Sequence, residues 1–317
     1  MTDGKKGKPH KNPIFSRSKK GVAVATPTPV YGINTKRLKE GTATAVFALA
    51  ACVSILAVAL ICIFLFANGI PGMSKIGILN FITGTAWKPG NNIFGIMPMI
   101  LGSIYVTAGA LIIGVPAGIL TAVFLSRFAS ASKVKTLQPS IALLAGIPSV
   151  VYGFFGLIVI VPAIRGIFGG RGTSMLAASI LLGIMILPTI ITISESALNA
   201  VPKSYYEGAL ALGATHERAV FRIILPAAKS GVIASIILGV GRAIGEAMAV
   251  MMVAGNQARL PEGILKGVRT LTSNIVMEMG YAADLHREAL IATGVVLFVF
   301  ILIINLLFSV LNRRVKS

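Results

Sequence analysis

The stretch NAVPKSYYEGALALGATHERAVFRIILPAAKS (residues 199–230) separates two long apolar runs, yet it does not read as a loop. Pro202 suits the first turn of a helix, and Tyr205, Ala209 and Leu212 fall on one face at helical spacing. Gly213 can take the left-handed conformation that stops such a helix. Thr215 then serves as an N-cap, with Glu217 in the first turn, where the helix dipole favours a negative charge. Ala219, Val220, Ile223 and Ile224 form the next apolar stripe, which Pro226 is expected to end. A helix–Gly–helix knob with apolar stripes and a mixed-charge rim should dock. Its spacing alone allows an interfacial hairpin on a membrane or a knob that enters another protein.

The flanks decide the setting. The chain has 317 residues, 55% of them hydrophobic and 12% charged, whereas a soluble domain is usually about a quarter charged. Six apolar segments are each long enough to cross a hydrocarbon core of about 30 Å: 42–67, 99–125, 137–162, 174–198, 230–254 and 289–311. The expected fold is an all-α, six-helix membrane protein, a polytopic chain of the cell membrane. Lys and Arg number 20 on the side of the 199–229 loop and 8 on the other, which by the positive-inside rule makes both termini cytoplasmic. Ten of them lie in residues 1–41, a Pro-, Gly- and Ser-containing tail without apolar periodicity, read as disordered. The net charge of +19 therefore points to anionic lipid and not to nucleic acid. Cys52 and Cys62 lie too far apart along one helix for a disulfide and read as inert packing residues.

Within the fifth segment, GVGRAIGEAMAV (239–250) carries Arg242 and Glu246. In hydrocarbon each charge costs at least about 2.5 kcal/mol. At i,i+4 on one helix the two would share a face and partly neutralise each other. They read either as a structural ion pair or as a transport site. For an anion, a guanidinium fork matches phosphate oxygens and keeps its proton. Glu246 would temper the attraction and accept the proton that hydrogenphosphate carries and sulfate lacks. GVPAG (114–118) and AGIPSVVYG (145–153) place Pro within apolar runs, as packing kinks or as breaks facing a path. Trp87 reads as an interfacial anchor, and His216 and His286 as solvated histidines. No histidine stands at metal-ligand spacing and no phosphate-binding G-x-x-x-x-G-K-[ST] loop occurs. The expectation is a non-enzymatic chain without metal or cofactor, any ATP hydrolysis residing on a separate subunit.

Glu207-x-Ala209, Gly213-Ala214 and Ile223-x-Leu225-Pro226 resemble the EAA signature of permease subunits from bacterial ATP-binding-cassette importers, the binding-protein-dependent transport permeases. Gly208 departs from the usual middle Ala. GIPSVVYGFFGL (146–157), LGATHERAVFRIILPAAKSGV (212–232), LGVGRAIGEAMAV (238–250) and GTAWKPGNNIFGIMPMILGS (84–103) further resemble the phosphate-specific importer's permeases, from about residue 42 to the end. The resemblance implies a permease domain over 42–317 with an ABC importer permease fold. It implies that Glu207, Gly208, Ala209, Gly213, Ala214 and Pro226 contact a cytoplasmic ATPase subunit. It further implies a sister permease subunit, an extracytoplasmic phosphate-binding protein, and Arg242 and Glu246 on the path of inorganic phosphate.

Three alternatives remain at this stage. A permease for sulfate, molybdate or an amino acid would share the docking loop but not GRAIGE. A secondary transporter would leave the 199–229 knob without a partner. An enzyme acting on phosphorylated lipid would need a polar cluster at the interface. The orientation is testable in a variant lacking Cys52 and Cys62. Lys203→Cys should react with an impermeant thiol reagent only from the cytoplasm, and Lys266→Cys only from outside. The opposite sidedness would overturn the topology.

Overall fold

The computed structural model describes residues 33–316, with side chains for 42–307 and 310. Helix α1 (Ile33–Ile76) is followed by short α2 (Ile78–Thr83) and a hairpin of β1 (Trp87–Lys88) and β2 (Ile93–Phe94). Next come α3 (Met97–Val123), α4 (Ala131–Gly146), α5 (Ser149–Phe155), α6 (Val161–Phe168) and α7 (Met175–Asn199). The stretch 199–230 forms α8 (Lys203–Ala211), α9 (His216–Ala219) and α10 (Leu225–Ala227). The chain ends with α11 (Lys229–Gly245), α12 (Met248–Val253), α13 (Leu271–Glu278) and α14 (Asp284–Lys316). The greater part of the basic 1–41 tail lies outside the described residues. In α1 every side chain from 42 to 58 is exposed, Cys52 among them.

Among the described residues five stretches are long and apolar enough to cross a membrane: Thr42–Ile76, Met97–Phe128, Ser149–Phe168, Met175–Asn199 and Asp284–Leu307. The sixth crossing rests on α11, which bends by 68° from the helical run before it. The third differs from the expected 137–162. Pro148 cannot donate a backbone hydrogen bond and disfavours helix at Ile147, so the chain breaks there and the span runs from Ser149. Helix α4, with Lys133 and Lys135, lies before that break. The Tyr152 hydroxyl donates to the Leu144 carbonyl across it at 2.8 Å. At Pro116 no break occurs: α3 is continuous, and its flanking glycines are packing devices. A Cβ on Gly114 would stand 2.8 Å from Ile186 Cδ1 and one on Gly118 2.7 Å from Ile190 Cγ2, so α3 and α7 meet at backbone distance.

Helix α7 is the hub. Most of it is buried, against α3 on one face and α11 on another, where Ser194 and Ser235 hydroxyls bond at 2.8 Å. The second half of α1 packs along α14, again through glycines: a Cβ on Gly72 would meet Glu288 at 2.8 Å. Lys75 pairs with Glu288 at 2.7 Å near the ends of these helices.

The side opposite the 199–230 loop is closed by the hairpin, α2, α13 and the start of α14. Its centre is Glu278, 7% exposed, whose Oε1 accepts from Arg269 Nη1 at 2.6 Å. Its Oε2 accepts from Trp87 Nε1 and from His286 Nε2, each at 2.8 Å. Trp87 is therefore a buried core residue and not an interfacial anchor, because its indole N–H has a carboxylate partner inside the cap. His286 is likewise enclosed by Trp87, Phe94 and Tyr281 rings instead of being solvated. Removing one partner of a buried ion pair typically costs about 3–5 kcal/mol. Glu278→Ala should therefore lower the unfolding temperature of detergent-solubilised protein by many degrees, with Glu278→Gln intermediate. An unchanged unfolding temperature in Glu278→Ala would show that this carboxylate does not hold the cap.

Candidate translocation site

The helix expected to run through 230–254 is interrupted where its charges lie. Gly239, Gly241 and Gly245 weaken it, each by up to about 1 kcal/mol relative to Ala. Helix α11 stops at Gly245, Glu246 is extended (φ −74°, ψ 126°), and α12 begins at Met248. Arg242 occupies the last turn of α11, where a cation complements the dipole. Glu246 lies just before α12, and its Oε1 accepts from the Ala249 N–H at 3.0 Å. Each charge is thus balanced by a helix end. The expected i,i+4 pairing does not form: the extended residue turns Glu246 off the face that carries Arg242, and no ion pair joins them.

Arg242 Nη1 donates to Thr189 Oγ1 of α7 at 3.2 Å, the only hydrogen bond of its side chain among the described residues. A guanidinium has five N–H donors, so most of this partly exposed fork is free to bind. Thr272, in the first turn of α13, donates from Oγ1 to the Glu246 carbonyl at 2.9 Å. Its helix is capped by Thr270, whose hydroxyl accepts from the Ser273 N–H. Ser103, Thr107, Thr270 and Thr272 line a crevice with Glu246, so hydroxyls surround the break. Sequence reasoning missed Thr189 and Thr272. The available signals were a Thr directly after Pro188 in an apolar run, and a Thr-x-Thr-Ser capping pattern.

The 199–230 knob forms largely as its spacing predicts. Gly213 has φ +83°. Its N–H bonds the Leu210 carbonyl at 2.9 Å and the Ala214 N–H bonds the Ala209 carbonyl at 3.0 Å, the two bonds of a Schellman stop. The Thr215 hydroxyl caps α9 by accepting from the Arg218 N–H. Glu217 is held below the usual carboxylate range, chiefly by its backbone hydrogen bond and then by Thr215. Ala209 is buried, Glu207 and Gly208 face solvent, and no atom lies within 4 Å of where a Gly208 Cβ would stand. Leu212 (91% exposed) and Tyr205 (53%) project outward, so of the first apolar stripe only Ala209 packs inward and the two larger side chains are presented. His216 is not a solvated residue: Tyr206 Oη bonds its Nδ1 at 2.8 Å and its ring packs edge-on against Phe128 at the end of the second span. Pro226 does not end the helix as expected. It lacks the N–H that would bond the Arg222 carbonyl, and a π turn at Val220–Ile224 absorbs the mismatch, so the helical run continues to Ala227.

The comparisons with known proteins agree with this architecture. Residues 114–317 match the family described as binding-protein-dependent transport system inner membrane component. A probable ABC transporter permease protein, YqgH of Bacillus subtilis, is 40% identical, the match covering 84% of this chain and 88% of that protein. The phosphate transport system permease protein PstC of Mesorhizobium japonicum is 32% identical over 81% of this chain and 85% of its own. A bacterial ABC transporter for import of alginate superposes with a TM-score of 0.61 at 17% identity, covering 89% of this chain and all of that one. The inward-facing MetNI methionine ABC transporter superposes with a TM-score of 0.53 at 21% identity, covering 70% and 95%. These two likenesses concern the fold alone. With its spans, its knob and relatives matched over most of its length, the chain belongs to the family of binding-protein-dependent transport system inner membrane components.

Proposed function

We propose that this chain is a channel-forming subunit of an ATP-driven importer of inorganic phosphate, with Arg242 as the group that the anion meets in the membrane. One observation carries the reading. At a helix break inside the bundle, a guanidinium is held by a neutral hydroxyl, with its carboxylate neighbour turned away. Such a fork offers paired donors to phosphate oxygens. Discontinuous helices are a recurrent way to place ion-binding groups within membranes. Glu246 Oε1 is engaged by a backbone N–H, leaving Oε2 to accept the proton of hydrogenphosphate. The resemblance to PstC proteins supports phosphate as the cargo. The exposed knob, with Leu212 at its tip, supports docking into a cytoplasmic ATPase subunit that hydrolyses the ATP. A sister permease subunit and an extracytoplasmic phosphate-binding protein complete the assembly. The chain itself supplies the path and no catalytic group.

A hydrogen bond to a charged group is worth about 1.5–3 kcal/mol, or roughly 10- to 100-fold in rate. Arg242→Gln should therefore lower phosphate uptake per assembled complex by about that factor, with ATPase association unchanged. Arg242→Lys should recover little of the loss, because an ammonium lacks the planar fork. Parent-like uptake in Arg242→Gln would remove Arg242 from the path, and sulfate uptake by the parent in place of phosphate would reassign the cargo.

The knob has its own test. Gly213→Val forces a β-branched residue to φ +83°, at a cost of about 1–2 kcal/mol. The spans should insert normally while ATPase co-purification and coupled uptake fall. Unimpaired co-purification and uptake would show that the geometry of this turn does not matter to coupling.

A further inference from the structure

Arg242 and Glu246 stand four residues apart, and a continuous helix would bring them together. Two hydroxyls from other elements hold the structure in which they stay separate. In a continuous helix the Glu246 carbonyl would accept from the Val250 N–H. Here it accepts instead from Thr272 Oγ1 at 2.9 Å. Thr272 is itself fixed, buried in the first turn of α13 with its hydroxyl 3.1 Å from that of Thr270. The α13 start is tied to the second span, where Ser103 Oγ accepts from the Leu271 N–H at 3.0 Å. On the other side Thr189 Oγ1 accepts from Arg242 Nη1 at 3.2 Å. Thr189 follows Pro188 on α7, the best buried span, and Ile190 next to it packs against Gly239 of α11.

We propose that Thr272 and Thr189 are positioning residues of the transport site: Thr272 keeps the helix open at Glu246 and Thr189 aims the Arg242 guanidinium. The proposal rests on the reading of Arg242 as the phosphate-binding group. If Thr272 loses its hydroxyl, the Glu246 carbonyl needs a new donor within the bundle. The Val250 N–H is the i+4 donor that an α-helix supplies to it, and bonding it closes the helix. Closure turns Glu246 onto the face of Arg242, where the carboxylate takes the fork that phosphate would use. Thr189 acts by direction alone. Its oxygen is a neutral acceptor, so it fixes the guanidinium without cancelling the charge that attracts the anion.

The test uses the complete importer reconstituted in vesicles with ATP. Uptake of radiolabelled inorganic phosphate is read per assembled complex at saturating phosphate. Thr272→Val should lower the rate about tenfold, and Thr272→Ser, which keeps the hydroxyl, should stay within twofold of the parent. The decisive reading is a double-variant cycle. Once Glu246→Gln has removed the competing carboxylate, adding Thr272→Val should cause little further loss. A packing role predicts that the two losses multiply and that Ser does not rescue, and either result overturns the proposal. Thr189→Val should likewise lower the rate and Thr189→Ser restore it, which provides the test should Thr272→Val fail to assemble. Arg242→Gln in the same assay separates the two levels. If it transports normally, the reading of Arg242 is wrong. If it fails while Thr272→Val and Thr189→Val both run at the parent rate, only the positioning proposal is overturned.

Discussion

The helix carrying Arg242 and Glu246 cannot remain continuous and keep its two charges apart. A guanidinium and a carboxylate on adjacent turns attract each other, and in a medium of low dielectric that attraction is strong. The structure resolves the conflict by ending one helix at Gly245 and starting another at Met248. The C-terminal carbonyls of α11 then stabilise the cation, and the N-terminal N–H groups of α12 stabilise the carboxylate. The break costs backbone hydrogen bonds, and the Thr272 hydroxyl offsets part of that loss at the Glu246 carbonyl. What remains is a partly exposed fork with one neutral partner, Thr189.

The rest of the bundle supports that break. Helix α7 is gripped on two sides through small residues: Gly109, Gly114 and Gly118 of α3 bring the backbones together, and Gly231 and Gly239 of α11 do the same. Without a hydrophobic driving force between helices in lipid, such close contact and the Ser194–Ser235 bond are what hold them. The ends of these helices also brace the knob. Arg127 donates to the Leu198 carbonyl and Ser126 bonds Asn199 at 2.6 Å, joining the second and fourth spans just where α8 begins. His216 against Phe128 ties α9 to the same corner.

On the far side, one buried carboxylate organises the cap. Glu278 satisfies Trp87, Arg269 and His286 together, and Arg269 reaches on to the Asn256 carbonyl and Asn274 Oδ1. Both carboxylate oxygens of Glu278 are paired, while Asn256 Oδ1 and Asn274 Nδ2 at the edge of the network have no partner among the described residues. The network fixes α13, and α13 carries Thr272 to the helix break, so the cap and the site share one rigid element.

Local signals were enough for much of this protein. Apolar runs longer than a bilayer is thick admit few structures other than helices, because backbone groups in lipid must bond within their own segment. The knob was equally legible, since Gly213 and Thr215 act through their own neighbours' backbone, and the EAA resemblance followed from the same residues. Several features were decided only by tertiary structure. Trp87 left no mark of its partner Glu278, 191 residues away. The third span shifted because Pro148 broke the run that hydropathy had joined. The Arg242–Glu246 spacing predicted a pair, and local propensity did favour it within any intact helix. In the folded chain the glycine-weakened helix breaks instead, and Arg242 and the Glu246 carbonyl bond to Thr189 and Thr272, hydroxyls supplied by other elements. Sequence spacing describes which groups share a helix face only while the helix exists, and this one ends at Gly245, where the next carbonyl takes a hydroxyl from α13 in place of a helical N–H.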